Sequence, residues 1–191
     1  MNNLIKAENQ ISENILGRCK NGDASAFREI VKKYQKYTYN LAFKILLNGD
    51  DAKDIVQESF IRVWRNIYLF NNQIKFTTWL YKITVNLCYD KIKSARRREK
   101  VITNHIDLEE LQKRTERNCE LKIINEQLAA IIGELSNELP EKQRMVFILR
   151  DLQELSVEEV SVILNISVGS VKTNLVYARR NIKEKLIKYL K

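Results

Sequence analysis

Apolar residues recur along this chain at spacings of three and four, the mark of helices with one buried side. Ile11–Cys19 reads as a short helix ended by Asn21-Gly22. Asp23 is placed to cap a longer helix over Ala24–Leu47, where Phe27, Ile30, Val31, Tyr34, Tyr37, Leu41 and Ile45 form the inward stripe. Asn48-Gly49 stops it. Asp51 begins the next helix, and Asp54 three residues on approximates a capping box. Ile55, Val56, Phe60, Val63 and Trp64 give that helix its buried side, while Asp54, Gln57, Glu58, Ile61, Arg62 and Arg65 lie toward the other. An isoleucine among mixed charges fits a protein-binding surface and fits a solvated face equally well. Tyr68–Lys75 breaks the period, and Asn71-Asn72 marks a loop.

Phe76–Arg98 is amphipathic in a different way. At 100° per residue, Phe76, Leu80, Ile83 and Leu87 share one narrow arc that can be buried. The opposite arc collects Trp79, Lys82, Asn86, Tyr89, Lys93, Arg96 and Arg97. Cations suit phosphates and exposed rings suit unstacked bases. Taken alone, the helix fits a solvated basic face at least as well.

Beyond it, Glu99–Asn118 has weak periodicity, many charges and no glycine or proline, and reads as a linker, in part helical around Leu108–Leu111. Apolar positions resume from Cys119, at Ile123, Ile124, Leu128, Ile131, Ile132 and Leu135. Pro140 suits the first residue of a further helix, with Met145, Val146, Ile148 and Leu149 inward. Ser156 and Glu159 then form a capping box that opens a short helix, Val157–Leu164. Asn165-Ile166-Ser167 makes a tight turn, and Ser167 caps a helix over Val168–Leu190 with Val171, Leu175, Ala178, Ile182 and Leu186 inward. Its outer side shows Ser170, Lys172, Thr173, Asn174, Tyr177, Arg179, Arg180 and Lys183. An αα-hairpin with a basic surface would look similar. The capping box, the turn length and the polar first turn favour a helix-turn-helix, whose second helix reads the major groove.

Composition narrows the function classes. The 191 residues include one proline and five glycines, which suits long helices with short turns. The net charge of +9 calls for an anionic partner, and residues 12–98 carry +9 by themselves, against −1 for 99–118 and +1 for 119–191. Cysteines 19, 88 and 119 are far apart and never in CxxC spacing, so they read as reduced thiols. His105 is the only histidine, which leaves little for a zinc site or a Ser-His-Asp triad. Neither a membrane span nor a signal peptide is visible, so the expectation is a cytoplasmic protein without metal, cofactor or membrane insertion.

Three segments together resemble a bacterial extracytoplasmic-function (group 4) sigma factor of RNA polymerase, in the sigma-70 family. They are Asp51–Trp64 (DAKDIVQESFIRVW), Phe76–Arg98, and Leu139–Arg180, which begins LPEKQRMVFILRDLQELSVEEV. Their order and spacing make the resemblance specific. It implies an all-α chain of two small helical domains and no enzyme activity: sigma-2 at 12–98, a flexible linker at 99–118, and sigma-4 at 119–191. In that family the first segment docks on the β′ clamp helices of core polymerase. Asp54, Gln57, Glu58, Phe60 and Arg62 match that motif, with Phe60 assigned to packing, and Ile61 and Arg65 extend the expected surface.

The second segment and the loop before it would hold the non-template strand of the minus-10 element, through Tyr68, Phe70, Asn71, Asn72 and Lys75 and then Trp79, Lys82, Asn86, Tyr89, Lys93, Arg96 and Arg97. A base flipped from the stack would lie in that loop, with Asn86 near it. The third segment would read the minus-35 element through Ser167, Ser170, Lys172, Thr173, Asn174, Val176, Tyr177 and Arg180. The family often has arginine where this chain has Asn174 and Tyr177, which shifts the expected readout from guanine toward adenine, phosphate and methyl contacts. The resemblance further implies contact with the polymerase β flap and control by an anti-sigma factor. One rival is a one-component helix-turn-helix regulator acting without polymerase, which would need a sensory or dimerisation domain in residues 1–98. Another is a helical protein-binding adaptor whose basic faces only solvate.

Overall fold

Each helix begins where a side chain takes up its free amides. Ser12 accepts from the Ile15 amide at 3.3 Å and opens α1 (Glu13–Lys20), two residues later than the apolar spacing suggests. Asp23 Oδ1 accepts from the amides of Ser25 and Ala26 at 2.8 and 3.1 Å and opens α2 (Ala24–Leu46). Asn48, expected to stop that helix, caps the following one by accepting from Asp50 and Asp51 at 3.0 and 3.1 Å. So α3 (Gly49–Asn66) starts earlier than expected, and Asp51 lies within its first turn instead of forming a capping box with Asp54. The chain break belongs to Leu47, which turns at φ 54°. A 3₁₀ turn (Ile67–Leu69) and the Phe70–Lys75 loop lead into α4, Phe76–Ile102.

The computed structural model describes residues 11–102 and 131–189, leaving out the side chains of Arg96, residues 98–102 and Tyr189. The expected linker at 99–118 therefore begins as a continuation of α4. Its remainder, Leu108–Leu111 included, lies outside the described residues, as do His105, Cys119, Ile123, Ile124, Leu128 and Leu190. Residues 131–137 form the described end of α5. Pro140 sits at the cap position of α6 (Glu141–Phe147), one residue before the helix proper, and α6 runs on as a π-helical turn, Ile148–Leu152. Then come α7 (Val157–Leu164) and α8 (Val168–Tyr189).

Helices α2, α3 and α4 pack side by side, with α1 laid against α2. The inward stripe of α2 is Ala26, Ile30, Tyr34, Thr38, Leu41 and Ile45. Tyr37, expected inward, is 46% exposed. Thr38 takes the core position because its hydroxyl can donate to Tyr34 O at 2.9 Å within the helix. Between α3 and α4, Thr84 donates to Leu80 O at 2.9 Å, so its buried contact with Ser59 at 3.1 Å has Ser59 as donor.

The α4 helix is buried on two arcs. Phe76, Leu80 and Leu87 are buried as expected, with Ile83 half-buried. Tyr81, Val85 and Cys88 are buried too, and Ile92 half-buried. The second arc follows from a second neighbour, since α4 meets α2 and α3 and also α7. One apolar cluster runs through both helical groups, from Tyr34, Leu41 and Val85 to Met145, Ile148, Leu149, Val160, Ile163 and Val171. A smaller one gathers Leu139, Phe147, Ala178 and Ile182.

Polar contacts seal the joint. Arg144 donates to Ile45 O at 2.7 Å, near the C-terminal end of α2. In return Lys44 donates to Leu152 O at 2.7 Å, at the end of the π-helical turn. Each group thus supplies a cation to carbonyls at the end of the other group's helix, where the helix dipole is negative. Burial pulls the Lys44 pKa below the usual lysine value, and the Glu154 charge partly offsets this.

Candidate nucleic-acid and polymerase interfaces

Four rings anchor the loop that precedes α4. Phe70 packs edge-on to Phe76 at 5.6 Å between centroids and tilts against Trp79 at 5.2 Å. Tyr34 supports Phe76 from α2 at 5.5 Å. Phe70 is consequently buried, which removes it from the set of expected DNA contacts: its ring is committed to the cluster beneath the loop. Trp79, expected on the outer face, is half-buried by the same packing. Asn71, Asn72 and Lys75 are exposed, as is Tyr68 in the 3₁₀ turn. A cleft of about 320 Å³ runs beside the loop, with Ile11, Glu13 and Leu16 on one wall and Phe70, Asn72, Gln73, Ile74, Lys75 and Phe76 on the other.

The outer face of α4 is only partly open. Asn86, Lys93 and Arg97 are exposed, whereas Lys82 and Tyr89 are half-buried. The Tyr89 phenol is pushed up to about 12 by burial first, with Glu141 raising it further and Arg144 opposing. Both charges lie on α6, so Tyr89 faces the second helical group. Lys75 is engaged as well, in an ion pair with Glu159 at 2.8 Å. Arg96 belongs to α4, and its side chain lies outside the described residues.

On α3 the expected surface is where the periodicity puts it. Asp54, Gln57, Ile61, Arg62 and Arg65 are exposed and Glu58 is half-buried. Glu58 pairs with Arg62 at 2.9 Å, four residues along the helix. Ile61 is 44% exposed, and the 3₁₀ turn that follows presents Tyr68 and Leu69, each more than 60% exposed.

Helices α7 and α8 meet at 103°, within the range of helix-turn-helix units. The capping box is complete: Ser156 Oγ accepts from the Glu159 amide at 3.1 Å, and Glu159 accepts from the Ser156 amide at 2.8 Å. Asn165 turns the chain in the left-handed region at φ 53°, and the Ile166 amide donates back to Ser161 O. Ser167 caps α8 by accepting from Ser170 at 3.1 Å. Lys172, Thr173, Val176 and Tyr177 then stand clear of the protein, Val176 at 66% exposure. Ser170 and Asn174 are half-buried, and the Asn174 amide donates to Ser170 O at 2.8 Å. Arg180 is exposed and paired to Glu184 at 2.9 Å. Arg179 bonds both oxygens of Asp151 at 2.7 and 2.8 Å and so clamps α8 to the π-helical turn.

Sequence reasoning overlooked Lys20. Its ammonium donates to Phe70 O at 2.7 Å, across fifty residues of chain. A basic residue in the last turn of a helix ordinarily serves its own carbonyls, so no local pattern marks it. Among the described residues no three His, Cys, Asp or Glu side chains converge as they would on a metal ion. No single helix among them is long and apolar enough to cross a membrane.

Comparison with known proteins supplies the family. Residues 30–98 match the model of sigma-70 region 2, and residues 129–182 match that of sigma-70 region 4. The chain is 35% identical over 172 residues to the ECF RNA polymerase sigma factor SigW of Bacillus subtilis, covering 87% of this chain and 92% of SigW. It is 32% identical over 183 residues to the ECF RNA polymerase sigma-E factor of Escherichia coli K12, covering 93% of this chain and 95% of that factor. Among solved structures, the sigma factor RpoE of Bartonella quintana, determined in complex with the anti-sigma factor NepR, shares the fold with a TM-score of 0.66 over 84% of this chain and 96% of RpoE, at 21% identity. With two sigma-70 regions in order and relatives matched over nearly their whole length, the chain belongs to the ECF RNA polymerase sigma factors.

Proposed function

We propose that separate faces of this chain divide the work of a sigma factor. The protein binds core RNA polymerase and directs promoter recognition and opening. It does so as an initiation factor without enzyme activity, working in the cytoplasm. The exposed side of α3, with Asp54, Gln57, Ile61, Arg62 and Arg65, engages the β′ clamp helices. The second helical group, residues 119–191, meets the β flap and reads the minus-35 element through the first turns of α8. The first group, residues 12–98, holds the non-template strand of the minus-10 element, and the linker between them spans the polymerase surface.

One observation carries the minus-10 assignment: exposed Asn72 and Lys75 border a cleft, with exposed Asn71 beside it in the loop, while Asn86, Lys93 and Arg97 leave an open basic track along α4. A flipped base needs a recess, a polar rim and cations for its flanking phosphates. Phe70 and Trp79 form the floor under this site in place of the stacking platform expected of them, and Tyr89 becomes available only when the second group moves away. Control by an anti-sigma factor fits the docked arrangement of the two groups, in which one partner could touch both.

The test is transcription itself. Purified chain is mixed with core polymerase and a promoter library, and run-off transcripts are sequenced. Transcripts that require the chain support the assignment. Promoter binding without polymerase, and no transcript with it, overturns it in favour of a solitary regulator.

A further inference from the structure

Lys20 and Arg18 end α1, and the two cations do different work. Arg18 stays local, donating to Asp23 at 2.8 Å and to Ser25 at 3.0 Å. Lys20 leaves its own helix and donates to Phe70 O at 2.7 Å in a half-buried contact. Phe70 is the hinge between the 3₁₀ turn and the loop: its amide donates to Ile67 O at 3.1 Å and its ring is locked against Phe76 and Trp79. The next three residues are exposed. The far end of the loop is held by the start of α4, where the Trp79 amide donates to Lys75 O at 3.1 Å, and by the Lys75–Glu159 ion pair. That ion pair reaches from the second helical group and is lost when the groups separate. Lys20 belongs to the same group as the loop and remains.

We propose that Lys20 is a positioning residue for base capture, fixing the Phe70 carbonyl so that Asn72 and Gln73 keep the shape of the cleft wall in the opened chain. This inference rests on the reading of the loop as the site that holds a flipped base. Two features argue for positioning over general stability. The bond ties α1, one wall of the cleft, to the first residue of the other wall. It also falls on a carbonyl whose residue is already fixed by its buried ring, so the bond orients the outgoing chain more than it holds the fold together.

The test uses full-length chain assembled with core polymerase and a promoter carrying 2-aminopurine in turn at each non-template position of the minus-10 element. Wild type is compared with Lys20→Met, Lys20→Arg and Asn72→Ala. Expected is a fall of roughly tenfold in the base-capture equilibrium for Lys20→Met, equivalent to about 1.4 kcal/mol for a lost charged donor. Holoenzyme affinity stays unchanged, the thermal midpoint falls by only a few degrees, as one lost hydrogen bond requires, and Lys20→Arg restores the signal. If Asn72→Ala abolishes the fluorescence change while Lys20→Met leaves it at wild-type level, the loop captures the base and Lys20 has no part in it. If both variants leave it unchanged while the promoter still opens, the base-capture reading falls and this inference with it. Should Lys20→Met fail to fold, Lys20→Gln keeps a neutral donor and is read on the same scale.

Discussion

The ion pair between Lys75 and Glu159 joins the two helical groups, and on the proposed minus-10 role of Lys75 it ties promoter access to their docking. Glu159 also closes the capping box of α7, and glutamine serves that box as well as glutamate does. Glu159→Gln therefore removes the charge and keeps the helix start. The pair is close, at 2.8 Å, but asymmetrically exposed: Lys75 at 56% and Glu159 at 17%. An exposed pair is worth about 0.2–1 kcal/mol after screening and side-chain entropy, and partial burial of the carboxylate puts this one near the top, at about 1 kcal/mol. That predicts a fall of about fivefold in the docking equilibrium.

The change matters because the docked chain cannot span a promoter. A 191-residue compact chain has a radius of gyration of about 16 Å. Elements near −10 and −35 lie about 25 base pairs apart, or about 85 Å at 3.4 Å per pair. If the two groups read the two elements as proposed, docking must open, and opening frees Lys75. The assay is fluorescence energy transfer between a dye on α3 and one on α8 in the full chain, titrated with salt, for Lys75→Gln, Glu159→Gln and the double variant. The expected coupling is about 1 kcal/mol and shrinks as ionic strength rises. A coupling of zero, with an unchanged distance distribution in Glu159→Gln, would refute the reasoning.

Acidification tests the same contact. Burial raises the Glu159 pKa, but hydrogen bonds from Lys75 and the Ser156 amide and the Lys75 charge outweigh it and leave it below the usual value. A depressed pKa contributes stability that is full above the free carboxyl's value of about 4.3 and is lost as pH falls through the docked value. Energy transfer should thus drop in that acid window before far-UV circular dichroism does, and a rise would contradict it. Asn86→Ala should impair promoter opening, read by permanganate reactivity, while polymerase affinity persists and folding stability stays within about 0.5 kcal/mol, since the side chain is exposed. Asp54→Arg should weaken association with β′ at equal stability, and an unchanged pull-down would count against the α3 assignment. Arg179→Ala should lower stability by about 1 kcal/mol in urea titration, discounted for an arginine that is 57% exposed. Arg179→Lys should not restore it, because lysine cannot bond both oxygens of Asp151.

What the sequence made legible follows from which interactions are local. The capping box at Ser156 and Glu159, the turn at Asn165 and the start of α8 at Ser167 are written within a dozen residues, and all appear as expected. The helix over Val157–Leu164 has its expected bounds for the same reason. At Asn48 the pattern misled, because two good caps lie three residues apart and Leu47 accepts a left-handed turn that sequence disfavours for leucine. Phe70 is buried although its polar loop suggests exposure, because the cluster of Phe76, Trp79 and Tyr34 beneath it involves residues distant in sequence as well as near.

The second buried arc of α4 was hidden for a stronger reason. A single amphipathic arc is visible in a window of one helix, but Tyr81, Val85 and Cys88 are buried and Ile92 half-buried on a helix that also packs against α7, some seventy residues away. Tyr89, expected on the outer face among rings suited to unstacked bases, faces α6 for the same reason. On the proposed reading of the minus-10 face, Tyr89 serves both uses at different times. A face that must be covered in the docked chain and available in the opened one has to be apolar enough to bury and polar enough to expose. Tyrosine meets both demands, since its ring packs in the joint and its hydroxyl tolerates water. On that reading tyrosine suits position 89 better than leucine, which would pack the joint more tightly and make the docked state harder to leave.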